Sequence, residues 1–398
     1  MTLSEPSVTN RLERRFTSLV QYLPASRPFV APEALERTRG ERFRLRLGAN
    51  ESAWGCSPVV RAATCEVVKE VNHYCDPEGL ELRTLIAAEL DCAVENVCLG
   101  EGIDGLLGLM IRLFVEPGEH VVTSNGTYPT LLYHCHGFGA AVEQVPYRDG
   151  RPDLRALSAA AHSCDAKLVY LANPDNPSGT LAPRDEVGTL VATLPCRCVL
   201  LLDEAYADFV DEDDLPRIDC KRVPVVRLRT FSKAHGLAGL RVGFTVAPAE
   251  ISAGMEKIRS HFGVNLVGQR LCAVSMRDKA FLDAVVREVE QGRREYTAIG
   301  KSIGLRPLPS STNFVTFDTG SVDASIAWVN ALIAEGVFIR RPAVGSLARC
   351  IRITVGTAED RTALKDVMER VALCLPRLVR AQTLEQRGVR AGTIDMRK

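Results

Sequence analysis

Between residues 94 and 246 the chain repeats one pattern: a short apolar run, a stretch with helical spacing, then another apolar run. Seven runs stand out, at 96–99, 120–123, 141–145, 167–172, 199–202, 225–228 and 242–246. They are strand-length and mostly apolar, as strands are in a sheet covered on both faces. The expectation is therefore an α/β fold, with a mostly parallel seven-stranded sheet covered by helices. A helical region from 259 to 294 leads away from this unit. Beyond it, runs at 313–317 and 350–355 read as strands, and 325–334 and 362–373 as helices, which makes a smaller α+β domain. The chain divides into an arm at 1–30, a segment at 31–65 and a large domain at 66–290. A small domain at 291–380 and a polar tail at 381–398, read as frayed, complete it. Helices are expected at 11–23, 59–71 and 80–90, and a polar approach segment at 31–40.

Length and composition narrow the function. At 398 residues the chain has room for two or three domains. Lys+Arg and Asp+Glu are equal at 49 each, so no general field favours nucleic acid or an anionic membrane. No apolar run reaches the roughly 18–20 residues of a membrane span. The 13 cysteines are scattered, and Cys196 and Cys198 have no histidine cluster nearby to complete a metal site. Reduced thiols in the cytoplasm are expected. The first residues carry Arg11, Arg14 and Arg15 but also Glu5 and Glu13, and lack the apolar centre of a secretory signal. They read as an arm lying on a partner subunit, with a mitochondrial transit segment as the alternative.

The chemistry centres on residues 229–241, RTFSKAHGLAGLR. One lysine, Lys233, sits among small and apolar residues, where its charged form is poorly solvated and its proton affinity falls. Such an amine can form a Schiff base with a carbonyl cofactor. Thr230, Ser232 and Arg241 suit a phosphate: two hydroxyl donors and one planar, permanently charged fork. An amine beside a phosphate cradle points to pyridoxal 5′-phosphate. A Gly-rich turn, Leu99 to Gly105, joins an apolar run to a helix. Backbone donors from Gly102, Ile103 and Asp104 would face an anion there.

SKAHGLAGLRVG resembles the cofactor-lysine segment of fold-type I aminotransferases, and most closely the histidinol-phosphate aminotransferase branch. The resemblance runs from about residue 45 to 375. It implies a large cofactor-binding domain, a homodimer, and a reaction between a small-molecule amino donor and an oxo-acid acceptor. NPDNPSG at 173–179 matches the family's N-P-x-N-P-T-G, which implies that Asn176 bonds the cofactor's phenolic oxygen. In LLLDEAY at 200–206, Asp203 ends a buried run, where a carboxylate is costly unless paired. The resemblance pairs it with the cofactor's ring nitrogen and assigns Tyr206 to the phenolic oxygen. Tyr128, in GTYP, would stack on the ring. Tyr74, in HYCDP, corresponds to a tyrosine that reaches the phosphate of the other subunit.

On the substrate side, Arg352 in IRITVG matches the arginine that grips a carboxylate, and Arg340 or Arg341 would meet a second anionic group. Asn50, in ANE, and Asn313 would border the same pocket, and His235 would pack behind the lysine. The chain departs from the family at Ser52, Ala53, Trp54, Cys75, Ile103 and Gly105. The reading is a transaminase with Lys233, Asp203 and Tyr206 as its catalytic groups. Its donor is histidinol-phosphate-like or aromatic, and its acceptor a 2-oxo acid such as 2-oxoglutarate. The alternatives are a decarboxylase of threonine-phosphate type and a catalytically silent cofactor-binding protein.

Overall fold

The computed structural model describes residues 15–23, 30–219, 223–342 and 345–391. In chain order the strands are β1 (Leu45–Arg46), β2 (Val97–Gly100), β3 (His120–Ser124), β4 (Ala141–Val145), β5 (Leu168–Ala172) and β6 (Val199–Asp203). They continue as β7 (Val225–Thr230), β8 (Gly243–Val246), β9 (Arg306–Pro307), β10 (Phe314–Asp318), β11 (Val337–Phe338) and β12 (Cys350–Thr354). Among the described residues, seven form one sheet in the order β2-β8-β7-β6-β5-β3-β4. Each lies within two residues of its apolar run, and the mostly parallel α/β fold is as expected.

The direction of β8 sets the geometry of the sheet's upper edge. β8 is antiparallel to both β7 and β2, while the remaining pairs are parallel. Residues 231–242 join β7 to β8 with only one short turn of 3₁₀ helix. No crossover helix intervenes, so the strand returns alongside its predecessor. The Lys233 loop therefore stays at the carboxyl end of β7. The carboxyl ends of β2, β3, β5 and β6 lie along the same edge, where open α/β sheets bind ligands.

Helices cover both faces of this sheet. The helix Gly102–Phe114 buries Ile103, Leu106, Leu107, Met110 and Ile111 on the cluster that includes Leu201 and Leu228. A separate cluster built on Leu157, Val169 and Leu200 fills the opposite face. Where polar residues cap the helices, the starts are sharp. Ser57 accepts from the amides of Val59 and Val60, and Asp153 from that of Ala156.

A second core holds β10 between the antiparallel strands β9 and β12. β1 joins this unit by pairing in parallel with β11, and Leu45 and Leu47 pack with Trp328, Val337 and Ile353. Trp54 is half-buried and touches both this core and the cluster around Tyr206 and Phe314.

Four local readings need amendment. Residues 32–39 form a helix, Pro32–Arg39, started by Pro32 and stopped at Gly40 in the left-handed conformation. The helical region after 259 is two helices, Leu266–Arg277 and Lys279–Ser302. Asp278 separates them by accepting the amide of Phe281. The tail does not fray at 380: the helix Ala358–Ala391 continues through it. That stretch lacks an apolar period, but Ala, Gln, Leu, Glu and Arg are strong helix formers. Of the helix expected at 11–23, residues 11–14 lie outside the described residues. Within them Ser18–Tyr22 is helical and capped by Thr17. Among the described residues no helix is long and apolar enough to cross a membrane.

Candidate active site

A cavity of about 560 Å³ opens at the strand ends described above. Lys233 projects into it from the loop after β7, and its Nζ donates to the carbonyl of Asn50 at 3.3 Å. Nζ also lies 5.7 Å from the centre of the Tyr206 ring. Burial lowers its pKa to about 8, helped by the positive charge of Arg352. Asp203 stands at the last position of β6, 5% exposed. Its Oδ2 accepts from the Tyr170 hydroxyl at 2.5 Å and its Oδ1 from the amide of Ala205 at 3.0 Å. Burial still raises its pKa to about 6.

Around Lys233 the hydroxyls and the guanidinium expected to hold an anion converge. Thr230 and Ser232 are both buried, and the Thr230 hydroxyl accepts the Ser232 amide at 3.1 Å. Arg241 donates to Asp104 Oδ2 at 3.1 Å, and the Tyr128 hydroxyl donates to Asp104 Oδ1 at 2.8 Å. Gly102 starts its helix with φ +71, and a Cβ there would lie 2.6 Å from Arg241 Nη2. Only glycine allows the guanidinium so close to the first turn. The first-turn amides of Gly102, Ile103 and Asp104 have no intrahelical acceptor.

On the far side of the cavity the second unit supplies its arginines. Arg352, on β12, donates Nη1 to the side-chain oxygen of Asn176 and Nη2 to the carbonyl of Gly48 at 3.2 Å. Its guanidinium lies over the Phe314 ring, 5.1 Å from the centre, and its buried Nε has no hydrogen-bond partner. Arg340 bridges Arg352 backbone to backbone, which brings the two side chains to the same wall. Arg341 also lines the cavity and donates to the carbonyl of Ala348.

Asn313, Tyr74 and His235, all singled out in the sequence, do not line this cavity. The Asn313 side chain donates to the Asn50 carbonyl at 3.0 Å. Asn50 borders the cavity but is 2% exposed, with its side chain committed to Tyr206 and Thr354. Tyr74 is 83% exposed and packs at a tilt against Phe262, outside the cavity of its own subunit. His235 is bonded to Ser275 behind the lysine loop.

Sequence reasoning passed over Tyr170, although a tyrosine inside an apolar strand needs a partner for its hydroxyl. It also passed over the ion cluster of Glu204 with Arg227 and Arg229. That cluster faces a second cavity, about 940 Å³, behind β7. Of the residues assigned to the chemistry above, only Thr230 touches it.

Comparison with known proteins agrees with this geometry. The family model for class I and II aminotransferases matches residues 44–371. The chain belongs to this family. Among its relatives, this aminotransferase is 32% identical over 329 residues to histidinol-phosphate aminotransferase 2 of Carboxydothermus hydrogenoformans. That match covers 82% of this chain and 90% of the relative. A solved histidinol-phosphate aminotransferase from Sinorhizobium meliloti, in complex with pyridoxal 5′-phosphate, superposes with a TM-score of 0.85 at 40% identity. The superposition covers 96% of this chain and all of that one. Aspartate aminotransferase from Thermus thermophilus, with maleate, shares the fold at TM-score 0.77 and 20% identity, covering 89% of this aminotransferase and 99% of that chain.

The residues present fit pyridoxal 5′-phosphate. Lys233 has the depressed basicity of an amine that bonds an aldehyde. Asp203 is a buried carboxylate whose protein donors leave its pKa high, so a further cationic donor would stabilise its charge. Thr230, Ser232, Arg241 and the helix start at Gly102 would suit the cofactor's phosphate, with hydroxyl, guanidinium and amide donors near one another.

Proposed function

We propose that this pyridoxal-phosphate-dependent aminotransferase takes its amino group from histidinol phosphate or a closely related phosphorylated or aromatic amine. A 2-oxo acid such as 2-oxoglutarate is the acceptor. The observation that carries the reading is the pair Arg340 and Arg352, bridged across neighbouring backbone segments and lining the cavity that holds Lys233. Two adjacent guanidinium groups suit a dianionic phosphate or the second carboxylate of a dicarboxylic acceptor. The histidinol-phosphate aminotransferases among the relatives support the same donor.

When bound, pyridoxal 5′-phosphate supplies an aldehyde for amines and a ring that accepts the electrons left at the donor's α-carbon. In this reading Lys233 holds the cofactor through its amine. Once displaced by the donor, Nζ would move the proton from the donor's α-carbon to the cofactor's aldehyde carbon, and in the other half of the cycle would move a proton from that carbon to the acceptor's α-carbon. Asp203 keeps the ring nitrogen protonated. Tyr206 and Asn176 bond the phenolic oxygen, and Tyr128 covers the ring face. Thr230, Ser232, Arg241 and the amides at 102–104 hold the phosphate. Arg352 holds the anionic end of each substrate in turn, with Arg340 beside it. The enzyme acts as a homodimer in the cytoplasm.

The test mixes the loaded enzyme with single amines and amino acids, without acceptor, and follows the cofactor's visible band. Histidinol phosphate should bleach it within the mixing experiment, and 2-oxoglutarate should restore it. A response to aspartate, with none to histidinol phosphate or to an aromatic amine, would overturn the proposed donor. Carbon dioxide release without need of an oxo acid would replace transamination by decarboxylation.

A further inference from the structure

Asn50 sits in the left-handed region, φ +55, and is almost wholly buried. Non-glycine residues rarely adopt this conformation, and asparagine does so more readily than most. Every polar group of the residue is engaged. Its carbonyl accepts from Lys233 Nζ at 3.3 Å and from Asn313 Nδ2 at 3.0 Å. Its amide N–H donates to Thr354 Oγ1 at 3.0 Å, and Thr354 returns its own hydrogen to Asn50 Oδ1 at 3.1 Å. That exchange fixes the orientation of the side-chain amide and leaves Nδ2 to donate to Tyr206 Oη at 2.8 Å.

A hydroxyl carries one hydrogen. Because Tyr206 accepts from Asn50, its own hydrogen points away from Asn50, on a side chain that lines the cavity. We propose that Asn50 is a positioning residue: it makes Tyr206 a donor into the cavity, gives the Lys233 amine a fixed acceptor, and ties both to the seating of β12 and Asn313. It was read as a substrate contact in the sequence, but its side-chain oxygen accepts from Thr354 and its side-chain nitrogen donates to Tyr206. This inference rests on the proposed roles of Lys233 and Tyr206 and adds the residue that orients them. The charged groups acting on Lys233 are Arg352, Asp104, Glu51 and Asp203, and all are unchanged in the variants below.

The experiment uses the holoenzyme loaded with pyridoxal 5′-phosphate and measures the pH midpoint of its visible band. Glycine keeps the left-handed backbone and the Asn50 carbonyl but removes the side chain. Asn50→Gly should raise the midpoint by about half a unit to one unit, because the phenolic oxygen loses a firm donor. In a Tyr206→Phe background the same substitution should add nothing. A lower kcat with little change in acceptor KM should accompany the shift. Equal shifts in both backgrounds, or a shift in neither, would overturn the proposal, since loss of packing alone does not depend on the Tyr206 hydroxyl. If Asn50→Gly does not fold, Asn50→Asp carries the comparison. Its carboxylate takes the Tyr206 hydrogen, so its shift should be larger with Tyr206 present than in Tyr206→Phe. Borohydride reduction and peptide mapping of wild-type enzyme form the separate control: a pyridoxyl label away from Lys233 would sink the underlying site, not this relay alone.

Discussion

In its proposed role Lys233 must be neutral enough to attack an aldehyde, which an amine exposed to water at pH 7 is not. Burial and the neighbouring Arg352 lower its pKa to about 8. At pH 7 about one amine in ten is then neutral, against fewer than one in a thousand for an ordinary lysine. The rate at which cofactor-free protein captures pyridoxal 5′-phosphate should therefore rise about tenfold from pH 6 to 7 and flatten above roughly pH 8.5. A rate still climbing tenfold per unit at pH 9.5 would mean an unperturbed amine. Arg352 supports a second prediction at this scale. Its substitution by alanine removes a charge-assisted contact and should cost on the order of 2–5 kcal/mol in kcat/KM for the oxo acid. Cofactor content should be unaffected. An unchanged kcat/KM would move the anion site to Arg340 or Arg341.

The elements that hold these groups are two loops pressed together. The segment 50–56 crosses the Lys233 loop so closely that a Cβ on Gly236 would fall 1.9 Å from the carbonyl oxygen of Gly55. Gly236 also has φ +69, which disfavours any side chain. Gly236→Ala should cost more than about 2 kcal/mol in urea unfolding of the cofactor-free protein. Gly239→Ala, with open space around its Cβ, should not. Equal stability of the two variants would show that the crossing is loose. At this scale much was legible beforehand. Short apolar-rich runs alternating with helical stretches marked the seven strands, because a sheet covered on both faces buries most of their side chains. The helix Pro32–Arg39 was missed because its sequence is polar and its one strong signal is Pro32 at the start. Two helices were merged at Asp278 because a capping acid is easily read as one more surface charge.

At the scale of the whole molecule, Tyr74 belongs to an exposed apolar patch. Tyr74, Phe262, Val68 and Val71 are all at least 49% exposed, and Tyr74 and Phe262 pack at a tilt against each other. In the proposed dimer Tyr74 enters the partner's phosphate site, so each site needs both chains. Lys233→Ala and Tyr74→Ala should each be weak alone. Co-refolded, the Lys233→Ala chain lends its intact Tyr74 to the other chain's intact lysine. Up to about half of the activity should return per heterodimer. If mixed dimers form without recovery, Tyr74 acts within its own chain or not at all.

What the sequence determined by itself was local: which runs are buried strands, where an amine sits beside hydroxyls and an arginine, and which asparagine-proline turns end a strand. These depend on neighbours in the chain, and the resemblance they carry led to the aminotransferase family. Tertiary structure decided the rest. The acceptor of the Lys233 amine is 183 residues away in sequence, and the Thr354 hydroxyl that locks Asn50 is 304 away. Hydrogen-bond partners across such separations are chosen by how two cores meet. No spacing in the chain encoded that the Asn50 side chain would bond Tyr206 and Thr354, or that Asn313 would hold its carbonyl. A buried amide must find every partner it can, and only the packed fold determines which groups are within reach.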